Sequence, residues 1–152
     1  MKPYEQLLAS WRGEEPLYDR SVTHGEIEVA ALEARYGVRL PPAFRDYVLH
    51  PCRTVDDAGL MDDNDSAWWG LDRLKSVSEE CQHPLTDAAL EAERETALFF
   101  ADYAMWCMAW AVCCNPGPTY GRIFIVSGQD RFVASDFAEF FDQYLSTDRF
   151  PL

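Results

Sequence analysis

Apolar positions recur at helical spacing through the first fifty residues, thin out in the middle, turn almost continuous after residue 97, and return to helical spacing near the end. Tyr4, Leu7, Leu8 and Trp11 fall on one face and predict an N-terminal helix. "RGEEPLYDR" then reads as a loop reaching Thr23. Thr23 and Glu26 have the Thr-x-x-Glu spacing of a capping box, after which Ile27, Ala30, Ala31 and Ala34 predict the buried stripe of a second helix ending at Tyr36. Gly37 suits the left-handed position that closes a helix, Pro41 breaks the chain, and Pro42 is preset for a first helical turn. Phe44, Tyr47 and Val48 then mark one face of a short third helix running to about His50.

The segment "CRTVDDAGLMDDNDSA" has two acidic clusters and no period, so it predicts a surface loop, with room for a short strand at its centre. "WWGLDRLKSV" predicts a strand entering the core and then a turn of helix, and residues 86–96 predict a short polar helix. "ALFFADYA", "MWCMAWAVCC", "RIFIVS" and "RFVAS" read as successive strands, with "NPGPTYG" as the loop between the second and third. In "MWCMAWAVCC" strand alternation puts Trp106, Met108 and Trp110 on one side and Cys107, Ala109 and Ala111 on the other. Small side chains permit close approach, so the Ala and Cys side is expected against the helices. The bulky side is expected to be covered by the rest of the chain; left open, it would be a surface for a partner. After Ser135 or Asp136 as N-cap, Phe137, Phe140, Phe141, Tyr144 and Leu145 predict a closing helix pressed on a core. The pattern predicts an α+β fold: one antiparallel-rich sheet, N-terminal helices, and a C-terminal helix packed on it. No repeat or linker divides the chain, so residues 1–152 are expected to form one domain, with residues 1–22 as an N-terminal helical extension.

Composition supports a folded chain and narrows its partners. The 152 residues are 48% hydrophobic and 14% aromatic, which suits a packed core despite a net charge of -13. An acidic surface repels phosphates and anionic lipid, so direct binding to nucleic acid or to a membrane surface is disfavoured and a basic partner favoured. The N-terminal stretch lacks a signal-peptide pattern and no apolar run is long enough to span a bilayer, so a cytoplasmic location is expected. Cys52, Cys81, Cys107, Cys113 and Cys114 are odd in number and irregularly spaced, as expected of reduced, mostly buried thiols.

No set of residues carries a complete catalytic or metal-binding signature. Asp62, Asp63, Asn64 and Asp65 lack the alternation, the glycine and the closing glutamate of a calcium loop. Cys107, Cys113 and Cys114 lack a Cys-x-x-Cys pair and a nearby histidine, so zinc is not expected. His24, His50 and His83 have no accompanying nucleophile signature, and "NPGPTYG" puts prolines where a phosphate cradle needs N–H groups. No cofactor is expected, and a small acidic hydrolase is the weaker reading of the same carboxylates.

The order "ARYGVRLPPAFRDYVL", "WWGLDRL", "LFFADY" and "FVASDFAEFFDQYL" resembles the SUKH superfamily of SMI1/KNR4-like proteins. The features that carry the resemblance are Gly37, Leu40, Pro41, Trp69, Leu71, Phe99, Ala101, Asp102, Ser135, Phe137 and Phe140, within residues 24–146. Where the family often continues the short helix into Asn-Gly-Gly, this chain has "HPCRTVDDAG". The resemblance implies a non-enzymatic immunity protein that binds and blocks a bacterial toxin, frequently a nuclease; other members are regulatory interaction domains. An acidic protein can occupy the basic cleft of a nuclease by matching the charge of nucleic acid. Asp56, Asp57, Asp62, Asp63 and Asp65 are the expected contacts with such a toxin, and Trp68 the expected aromatic anchor.

Overall fold

The computed structural model describes residues 25–49 and 61–152, together with Glu5 and Leu7. Most of the expected N-terminal helix, Thr23, His50 and the acidic segment through Asp56 and Asp57 lie outside the described residues. Glu5 and Leu7 are helical, and Leu7 is buried in the core.

Helix α1 (Glu26–Tyr36) starts from Gly25, which gives no side-chain cap, so Glu26 is the first helical residue and not the third residue of a capping box. The buried face also differs from the expected one. Val29 and Leu32 are buried, whereas Ile27 is 86% exposed and the alanines at 30, 31 and 34 face solvent. Alanine offers little area to bury, so the bulkier Val29, Leu32 and Tyr36 row docks instead.

The joint after α1 forms as the sequence predicts. Gly37 takes φ 62° and ψ 38°, a left-handed conformation that a Cβ would oppose. Glu33 organises the joint from within α1: its carbonyl accepts from Gly37 and Val38, and its side chain accepts from the Leu40 N–H at 2.8 Å. The Arg39 N–H donates to the Cys114 carbonyl at 3.2 Å, tying the joint to the sheet. Helix α2 (Pro42–Leu49) then buries Phe44, Tyr47 and Val48, the three residues its spacing selects.

The sheet contains β1 (Ser66–Trp68), β2 (Lys75–Ser76), β3 (Ala97–Tyr103), β4 (Met108–Cys113), β5 (Ile123–Val126) and β6 (Arg131–Ala134). Its order is β1-β3-β4-β5-β6, with β2 also paired to β3, and every pairing is antiparallel. A 3₁₀ turn, Leu71–Arg73, interrupts the edge between β1 and β2. Two single-turn helices, α3 (Val77–Glu80) and α4 (Ala88–Glu91), connect β2 to β3. Helix α5 (Phe137–Tyr144) closes the described fold from an Asp136 N-cap that accepts from the Glu139 N–H.

The fold is therefore α+β, with helices packed on an antiparallel sheet. A register shift between Phe99 and Ala101 places Phe100 beside Phe44, Phe137 and Phe140. The bulky side of β4 faces that same helical layer, the reverse of the expected arrangement. Trp110 is fully buried, its ring 5.5 Å from Phe140 and 6.0 Å from Tyr144, and its indole N–H donates to the Pro151 carbonyl. Large aromatics from both layers fill the space between sheet and helix, and close approach through small residues is not used there. No helix among the described residues is long and apolar enough to cross a membrane.

Candidate functional site

Two loops meet beside the β1 edge of the sheet. The first is the acidic turn at 62–66. Asp62 is buried, and its Oδ1 accepts from the N–H groups of Asn64 (2.9 Å) and Ser66 (3.0 Å). Its Oδ2 accepts from the Trp68 indole N–H at 3.0 Å and from the Tyr144 hydroxyl. Burial, with the Asp62 carboxylate alongside, pushes the Tyr144 phenol far above its ordinary range, so it stays protonated and donates. Asp63, Asn64 and Asp65 point to solvent, and Asp65 has a positive φ of 59°.

The second loop joins β3 to β4. Ala104, Met105 and Trp106 take φ values of 49°, 52° and 71° in succession, none of them glycine. Left-handed backbone costs such residues about 1 kcal/mol or more each, so surrounding contacts must hold the turn. The Ala104 N–H donates to the Asp65 carbonyl at 2.8 Å, joining the two loops directly. Asp102, also buried, holds the other side: Oδ1 accepts from the Trp106 N–H at 3.2 Å and Oδ2 from the Trp69 indole at 2.8 Å. Arg73 lies 3.6 Å from that carboxylate and 4.3 Å from the Trp69 ring centroid. The Trp106 ring packs on Trp69 (4.8 Å) and Phe99 (5.6 Å) while remaining 41% exposed, and Met105 beside it is 71% exposed.

The geometry redistributes the residues expected at a binding surface. Asp63 and Asp65 are on the surface. Asp62 is not a free surface charge, and Trp68 is not an exposed anchor: Trp68 is buried against Phe141 and Tyr144, at 5.7 and 4.9 Å. Both hold the loop in shape. The accessible aromatic is instead Trp106, with Met105. The sequence pattern puts both in a strand because "AMWC" has no Gly, Pro, Asn or Asp to signal a turn.

Elsewhere the charged groups act structurally. Burial opposes the charged form of Glu79, but hydrogen bonds from Tyr36, the Ser76 backbone and hydroxyl, and the Arg35 charge outweigh it and hold the carboxyl below its ordinary value. These contacts tie α1 to the capping box of α3. Burial pushes the Cys113 thiol up to about 12 and the Cys114 thiol well above its ordinary value, so neither is a ready nucleophile. Among the described residues no group of three or more His, Cys, Asp and Glu side chains is placed to hold a metal.

The model of the SMI1 / KNR4 family (SUKH-1) matches residues 25–143, which covers α1 through nearly all of α5 and both loops of the site. The chain belongs to that family. No curated protein and no solved structure matches it. Within this SUKH domain, the residues that carried the resemblance are mostly architectural: Gly37 closes α1, Leu40 and Phe137 are core, and Asp102 fastens the β3–β4 turn.

Proposed function

We propose that this SUKH domain is a non-enzymatic binding module of the immunity type, which engages a basic toxin domain and blocks it. The observation that carries the reading is the direct junction of an exposed acidic turn with an exposed apolar one, through the Ala104–Asp65 hydrogen bond. Asp63 and Asp65 supply negative charge, and Met105 and Trp106, in the turn bonded to theirs, supply contact area. Charge steers the encounter and an aromatic anchor slows dissociation. The net charge of -13 favours a basic partner over nucleic acid or anionic lipid. Asp56 and Asp57 precede the turn in the same acidic segment and are proposed as further contacts that add to the steering charge. Asp62 and Trp68 serve the site from beneath, by fixing the turn.

The test is to read the gene immediately upstream and, where it encodes a C-terminal toxin domain, to co-express that domain with this protein. The reading predicts that growth is restored and that the two chains purify as a stoichiometric complex. Unrelieved toxicity with no complex would refute it.

A further inference from the structure

Below the acidic turn lies an open groove of about 360 Å³ between residues 63–65 and the segment after α5. Asp63, Asn64 and Asp65 line one side, Leu145 and Thr147 contribute to the other, and half-buried Tyr103 and Phe150 present the aromatic surface, with Tyr144 buried behind them. The three rings are consecutive neighbours, with centroids 5.7 Å apart for Tyr103 and Phe150 and 4.9 Å for Tyr144 and Phe150. No lysine or arginine is among the described lining residues, and the nearby Arg149 is held by Asp142 at 3.0 Å.

Resting on the reading of a basic partner, we propose that this groove receives an arginine side chain of that partner, its guanidinium between the aromatic lining and the Asp63 and Asp65 carboxylates. The chemistry selects this occupant. A flat, delocalised cation stacks on aromatic rings and presents forked donors to carboxylates, whereas an ammonium does the first less well and the second not at all in bidentate form. An anion would meet two carboxylates and no cation from the lining. A neutral apolar group would leave both carboxylates partly desolvated without a partner. The asymmetry of acidic rim and ring-lined floor thus fits one class of side chain.

The probe is a blocked tetra-arginine peptide, titrated into the isotopically labelled full chain and read by amide shifts, with the uncharged tetra-citrulline peptide as control. Saturable shifts are expected at residues 63–65, 103 and 145–150 for arginine and not for citrulline. Thr147→Arg, an exposed substitution that places a guanidinium of the chain itself at the groove, should abolish those shifts. Asp63→Asn with Asp65→Asn should weaken binding by about three- to tenfold, the effect of losing two partly exposed charge contacts. Asp72→Asn, exposed and outside the groove, should leave the titration unchanged. Shifts that spread over the acidic surface, persist in Thr147→Arg, or occur equally with citrulline overturn the proposal. The outcome separates from that of the functional reading. A toxin complex indifferent to Thr147→Arg removes the groove and keeps the immunity role, while an arginine-selective groove in a protein that protects against no toxin does the reverse.

Discussion

Removing the Asp62 carboxylate would leave the Trp68 indole N–H and the Tyr144 hydroxyl without their acceptor inside the core and release two N–H groups of the turn. Asp62→Ala is therefore expected to cost about 3 kcal/mol or more, whereas Asp63→Asn and Asp65→Asn should each stay within about 0.5 kcal/mol. Urea unfolding followed by tryptophan fluorescence checks both, and equal effects at the three positions would contradict the assignment. The sequence does not separate them, because "DDNDS" offers three aspartates of the same composition and only the fold decides which one turns inward. The cysteines are more legible, since an irregular odd set predicts reduced thiols and the four described ones are free, although of these only Cys113 and Cys114 are buried as expected. Native protein treated with a thiol reagent near pH 8 should modify exposed Cys107 rapidly and spare buried Cys113 and Cys114 until it unfolds.

Among the elements, several with a local cause were readable, although the capping box expected at Thr23 and Glu26 is not the start of α1 and the one at Ser76 and Glu79 was missed. Gly37, Pro42 and the Phe137, Phe140, Phe141, Tyr144 row each act through their own backbone or period and appear as expected, while Leu145, expected in the same row, is the C-cap and 41% exposed. The buried face of α1 and the side of β4 that meets the helices depend on what the opposite layer offers, which no local window contains. The β3–β4 turn is the extreme case, because its backbone runs against the preference of all three residues and is held by Asp65 and Asp102. Ala104→Gly should remove part of that conflict and raise stability by about 0.5–1 kcal/mol, visible as a higher urea midpoint with an unchanged slope. A lower midpoint would mean that the turn carries no such strain.

Acid should loosen two helix starts. Hydrogen bonds from the Ser135 hydroxyl and N–H hold the Glu139 carboxyl below its ordinary 4.5, and net hydrogen bonding outweighs burial to do the same for Glu79. A carboxyl lowered by folding adds stability above its unfolded value, and that contribution disappears as pH falls through the lower, folded one. Stability should thus decline below about pH 4.5, and the Glu79→Gln, Glu139→Gln double variant should decline less steeply over that window. Parallel acid limbs for the two proteins would remove these groups from the account.

Across the whole molecule, an aromatic interior packs α2 and α5 on the Phe100 and Trp110 face of the sheet, and the acidic turn and the β3–β4 turn meet beside the β1 edge. The order of elements was legible because it follows from period and punctuation, and the family because the quoted motifs resemble the SUKH superfamily in order. The aromatic part of the candidate surface was not, since its exposure arises where β3 ends and the chain reverses. In the proposed function, charge at the acidic turn guides a basic toxin onto Met105 and Trp106, and this steering can be measured. Its most direct measurement is the association rate with that toxin domain across a salt series, for the wild type, the Asp63→Asn, Asp65→Asn variant and Trp106→Ala. The double variant should associate more slowly at low salt and show a flatter salt dependence, while Trp106→Ala should mainly speed dissociation. Unchanged association for the double variant at low salt, with unchanged dissociation for Trp106→Ala, would contradict it.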